Sequence, residues 1–202
     1  MSDEVITKIR RVGRGRLAAA LIAAMLVPTA GCTSKATESD APTLTESSAR
    51  QRIESYLTAT LNALPRGVRL TLTPDRLAEG RSADQLIQPM TAAPCDGDLN
   101  DTAGPVKTQV VYYVSGIPSG QAGQYLIAVR KYWADQRWNV TETELTVQSI
   151  AATSDGYQLI VRHGNATDGV GTDVLIIGGT SPCYSRTAAG TTAPLPTVIE
   201  QQ

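Results

Sequence analysis

Apolar residues return at three- and four-residue steps from Ile53 to Leu64, through Tyr56, Leu57, Thr60 and Leu61, and this spacing predicts a helix with one buried stripe. Ser47 or Ser48 is placed to cap its start, and Pro65-Arg66-Gly67 ends it. The period then falls to two. Val68, Leu70 and Leu72 alternate with Arg69, Thr71 and Thr73, as in a half-buried strand. Gly, Pro and Asp are frequent over residues 74–105, which reads as a long excursion with one helical turn near Ala83 to Gln88. Within Lys107 to Ser115, the run Val110-Val111-Tyr112-Tyr113-Val114 is β-branched and aromatic throughout and suits a central strand.

Gly116-Ile117-Pro118-Ser119 interrupts that strand, and Ser119 is placed to cap a second helix with the inner stripe Ala122, Leu126, Val129 and Trp133. Arg130, Lys131 and Asp135 fall off the stripe. Trp138 to Ile150 reads as one long strand, Tyr157 to His163 as its hairpin partner across Thr153-Ser154-Asp155-Gly156, and Thr172 to Gly178 as another. Gly164-Asn165 and Asp168-Gly169 mark the turn between the last two. The predicted order is α-β-loop-β-α-β-β-β. An antiparallel sheet with two helices on one face, a two-layer α+β sandwich, buries these stripes most economically.

The first residues follow a different logic. Lys8, Arg10, Arg11, Arg14 and Arg16 make a positive region, and Leu17 to Val27 an apolar run too short to cross about 30 Å of hydrocarbon. Arg10-Arg11 is followed by Val12 and Gly13 rather than an apolar pair, which favours the general secretory route over the twin-arginine one. The run closes on Pro28-Thr29-Ala30-Gly31-Cys32, which resembles the bacterial lipobox, with Thr29 where that motif usually has Leu. The resemblance implies cleavage before Cys32, a diacylglyceryl group and palmitate on Cys32, and anchoring to the outer face of the cell membrane. The layout is similar to that of small exported lipoproteins of high-GC Gram-positive bacteria. It covers residues 17–32 alone and carries no function to the folded domain.

The chain thus divides into a signal peptide (1–31), a lipidated Cys32 with a flexible polar tether (32–45), one α+β domain (46–186) and an Ala/Thr/Pro-rich tail (187–202) expected to be disordered. The signal holds five of the 18 basic and two of the 19 acidic residues, so the processed chain carries 13 against 17. An acidic surface is repelled by anionic lipid, and attachment then depends on the acyl chains. The same balance excludes nucleic acid as a partner, since no basic surplus exists to hold its phosphates. With Cys32 lipidated, Cys95 and Cys183 remain as a pair in an oxidising compartment, and one disulfide is the simplest reading, with two free thiols the alternative.

Candidate chemistry is sparse. A single His removes every site that needs two, including HExxH. Asp96, Asp98 and Asn100 resemble the start of a calcium loop, but Asp101 stands where the turn needs Gly and Lys107 where it needs Glu, so a surface turn is expected and no metal. His163 is expected to be structural or exposed; Ser149 or Ser154 would have to serve it as nucleophile, and no Gly-x-Ser-x-Gly elbow is present. Gly169-Val170-Gly171 lacks a third glycine and a following helix, so no nucleotide cofactor is expected. Glu142 and Glu144 share a strand face and read as solvated. Tyr112, Tyr113, Tyr132, Trp133 and Trp138 read as core and rim, with a polysaccharide contact as the functional reading. The expected function is a non-catalytic envelope module that binds a partner protein or a cell-wall polymer. The alternative is a carrier that holds an apolar ligand in a cavity between helices and sheet.

Overall fold

The structure, a computed structural model, describes residues 43–75, 90–142, 147–164, 174–188 and 194–202. The leader with Cys32, the turn near Ala83 to Gln88, Glu144 and the glycines at 169 and 171 lie outside them.

Helix α1 (Glu46–Asn62) starts at Thr45 rather than at Ser47 or Ser48. The Ser48 amide donates to Thr45 Oγ1 (3.2 Å) and the Thr45 amide to Ser48 Oγ (3.0 Å), so Ser48 is the far half of a capping box instead of the cap. The chain continues through β1 (Arg69–Thr71), β2 (Met90–Pro94) and β3 (Val106–Ser115) to helix α2 (Ala122–Asp135), then β4 (Asn139–Glu142), β5 (Gln148–Ala152), β6 (Gln158–His163), β7 (Leu175–Thr180) and β8 (Val198–Glu200). Helix α2 begins at Gln121 without a side-chain cap; Ser119 does not serve it.

Among the described residues the strands pair antiparallel in one eight-stranded sheet, in the order β4-β5-β6-β7-β3-β1-β8, with β2 also against β3. The expected long strand from Trp138 to Ile150 is two strands, β4 and β5. They pair antiparallel, with Asn139 opposite Ala152 and Glu142 opposite Ser149. β7 is not an edge: it lies between β6 and β3. The tail expected to be disordered supplies β8, because β1 offers Val198 to Glu200 a ready edge.

Ile53, Leu57 and Leu61 of α1 and Leu126, Val129 and Trp133 of α2 join one core cluster with alternate sheet positions, among them Leu70, Val110, Tyr112, Leu159, Val161, Leu175 and Ile177. Tyr113 and Ile176, of opposite parity, form a smaller cluster with Val111 and Val174. Helix α1 lies close over β7 because Gly179 has no side chain: a Cβ there would stand 2.7 Å from Ile53 Cγ2. Gly178 does not face the helix; a Cβ on it would stand 2.6 Å from the Val110 carbonyl oxygen of β3. Trp133, fully buried, donates its indole N–H to Thr60 Oγ1 (3.0 Å), joining the helices by a polar bond inside the core. Cys95 and Cys183 form a disulfide that ties the end of β2 to the segment after β7. Among the described residues no helix is long and apolar enough to cross a membrane.

Candidate functional site

The β5–β6 turn runs through Thr153 to Gly156, where Gly156 takes φ +85°, and it aims the Asp155 carboxylate at α1. That carboxylate accepts from Thr153 Oγ1 (2.6 Å), from Tyr56 OH (2.8 Å to each oxygen) and from Arg52 Nε (2.9 Å). Arg52 and Tyr56 are one helical turn apart on α1, so the guanidinium also lies over the Tyr56 ring, 4.7 Å from its centre. Burial opposes ionisation of Asp155, but the three hydrogen bonds prevail and hold its carboxyl below the usual carboxylate range. Burial, then the bond to Asp155, raises the Tyr56 hydroxyl above its ordinary value, and the same carboxylate raises Arg52.

An aromatic group continues from this network. Tyr56 meets Trp138 edge-on at 5.2 Å and Tyr157 at 5.8 Å, and Tyr132 meets Trp138 at 6.1 Å. Tyr157 is buried, while Tyr56, Tyr132 and Trp138 are half-exposed beside the exposed Arg52 and Asp155. Trp138 is delivered by the end of α2. The Arg137 and Trp138 amides donate to the Ala134 and Trp133 carbonyls (2.8 and 3.2 Å), closing a Schellman turn whose left-handed residue is Arg137, at φ 61°. Glycine is the usual occupant, and a side chain there costs about 1 kcal/mol. Arg137 is the only non-glycine with positive φ among the described residues. Strain of this kind gathers at functional sites. Tyr56, Tyr132 and Trp138 pack on the core with their remaining surface at the rim, where a carboxylate and a guanidinium border them, a mixed apolar and polar surface suited to a sugar or to a protein partner.

The other candidates are dispersed. Tyr112, Tyr113 and Trp133 are core, so only Tyr132 and Trp138 of the aromatic candidates reach the patch; Tyr56 and Tyr157 were hidden inside apolar patterns. In the acidic loop, Asp96 and Asp98 accept the amides of Asp98 and Asn100, and Asp101 those of Ala103 and Gly104, a self-capped turn that Arg186 braces through the Asp101 and Gly104 carbonyls. No group of three His, Cys, Asp or Glu among the described residues is arranged for a metal. Exposed Glu142 pairs with Arg130 across 3.5 Å. The His163 side chain is partly buried, and among the described residues its Nε2 is sealed from solvent with no hydrogen-bond partner. Ser149 Oγ is likewise buried and unpartnered, on the neighbouring strand and at the same core-side parity. Ser149 is fully buried, so no substrate carbonyl can come within the roughly 3 Å that attack by its hydroxyl needs in this arrangement.

No family model, curated protein or solved structure matches the chain.

Proposed function

We propose that the protein is an envelope lipoprotein, anchored on the outer face of the cell membrane through acyl chains on Cys32, whose folded domain is a non-catalytic module binding a cell-wall polymer or partner protein at the Tyr56–Tyr132–Trp138 patch. The observation that carries this reading is the half-exposed aromatic group held at the surface by a strained Arg137 and bordered by the Arg52–Asp155 pair. Aromatic and Arg side chains are the usual anchors of binding surfaces, and here both are held in fixed geometry before any ligand arrives. The lipobox-like segment ending in Cys32 supports the location.

Sedimentation of the processed protein with purified cell walls tests the site. Trp138→Ala is expected to lower the bound fraction by about tenfold or more while the cooperative melt is retained. A folded Trp138→Ala protein that binds as well as the parent would refute the assignment. Cys32→Ser is expected to release the domain from membranes or leave the precursor uncleaved; a variant still processed and still membrane-bound would remove the anchor from the proposal.

A further inference from the structure

Residues 194–202 sit on the domain as a peptide sits on a receptor. Val198 to Glu200 pair with Arg69 to Thr71, and the Leu72 amide donates to the Thr197 carbonyl (3.2 Å). Tyr112, from the centre of the sheet, donates its hydroxyl to the Pro196 carbonyl (2.9 Å). Leu195 and Ile199 pack against the core. The side chain of Gln201 then closes the end of α1. Its Nε2 lies 3.0, 3.1 and 3.3 Å from the carbonyl oxygens of Leu61, Leu64 and Pro65, and its Oε1 accepts the Gly67 amide at 3.0 Å. The Gln202 amide adds a bond to Asn62 Oδ1 (2.9 Å).

One primary amide, with two N–H donors and one acceptor, is thereby shared among four backbone groups of the turn that follows α1; the Leu61 carbonyl also accepts the Leu64 amide (3.0 Å). The site reads chemistry as well as shape. A Glu at this position loses the donor and sets a carboxylate against three carbonyl oxygens, while Asn falls one methylene short. The receptor groups come from residues 61–72 and Tyr112, and none of these bonds depends on which copy of the chain supplies the strand.

We propose that the β1 edge and the α1 end form a strand-addition site that accepts residues 194–202 of a second copy as well as the chain's own, so that the strand is exchangeable between molecules. The probe is a labelled peptide of residues 194–202, standing in for a second copy's strand, titrated by fluorescence anisotropy into protein lacking those residues. Saturable binding is expected, with the Gln201→Glu peptide about tenfold weaker or worse. The intact chain, its site filled, should bind the peptide at least about tenfold less well. A truncated protein that folds with its disulfide formed but binds no peptide would overturn the proposal. If truncation prevents folding, the intact Gln201→Glu chain, whose own strand is loosened, should take up the wild-type peptide where the parent does not; no uptake would likewise overturn it. Refolded at high concentration, the intact chain should yield a dimer that Gln201→Glu abolishes. A chain that stays monomeric while the peptide binds would exclude exchange between copies.

Discussion

Thr60→Val tests the polar bond that joins the two helices inside the core. The replacement keeps the side-chain volume and removes one hydroxyl, which accepts the Trp133 indole N–H at 3.0 Å and donates to the Tyr56 carbonyl at 2.8 Å. Both residues are fully buried, so no water can take the vacated place on the indole. An orphaned buried donor costs about 1–3 kcal/mol. The lost bond to Tyr56 adds little, because that carbonyl keeps its partner within α1. For a domain of this size the sum corresponds to a fall in Tm of roughly 2–12 °C. Thermal unfolding followed by far-UV circular dichroism reads it directly. A double-mutant cycle isolates the cause: in a Trp133→Phe background, which has no indole N–H to strand, Thr60→Val should cost under about 0.5 kcal/mol. An unchanged Tm for Thr60→Val alone, or the same cost in both backgrounds, would refute the reasoning.

Three further outcomes follow from the geometry. Cys95→Ser/Cys183→Ser opens a bridge spanning 88 residues and is expected to lower stability by up to about 4–5 kcal/mol, read by urea titration; two titratable thiols in the exported parent would show that the bridge does not form there. Arg137→Gly removes the left-handed strain and should raise Tm by about 2–4 °C, and a lower Tm would mean that the arginine side chain outweighs its backbone cost. Asp155 has a depressed folded pKa, so its contribution is present above the ordinary carboxylate pKa and lost as pH falls through the folded value; Asp155→Asn should therefore be less stable than the parent at neutral pH, with the gap narrowing as pH falls below the ordinary carboxylate range, and a gap that does not narrow in acid would place the effect elsewhere.

What the sequence reveals and what it hides divide along physical lines. Both helix stripes and the central strand announce themselves because burial imposes a period on Ile53 to Leu64, Ala122 to Trp133 and Val110 to Val114. β2 and β8 are short, and their pairing comes from their neighbours' free edges; Ala93-Pro94 and Val198-Ile199 have too few apolar residues to set a period. The acidic loop was legible as a turn because Asp, Asn and Gly cluster there, and their side chains cap the backbone amides that follow. The aromatic patch was only half legible. Tyr56 falls on the same helical stripe as Leu57 and Thr60, and nothing in Asp135-Gln136-Arg137-Trp138 signals a left-handed residue, since the glycine that normally marks one is absent. His163 has the core-side parity of Leu159 and Val161 on β6, but that its ring nitrogen is sealed with no partner among the described residues depends on packing, which no spacing encodes.

The amide clamp on α1 also bears on how the domain folds. A helix of 17 residues is marginal alone, and the group that closes the end of this one lies 140 residues further along the chain. β1 likewise gains one neighbour with β3 but must wait for β8 before its second edge is satisfied. Contacts of such long range place folding in the slow, topology-limited regime of milliseconds to seconds rather than the microseconds of local helical bundles. The loop-closure entropy falls due before the core repays it. A chain emerging from a ribosome or a secretion channel therefore carries the end of α1 without the Gln201 amide, and β1 with one open edge, until nearly everything else has arrived, and closure of that edge of the sheet is a late event.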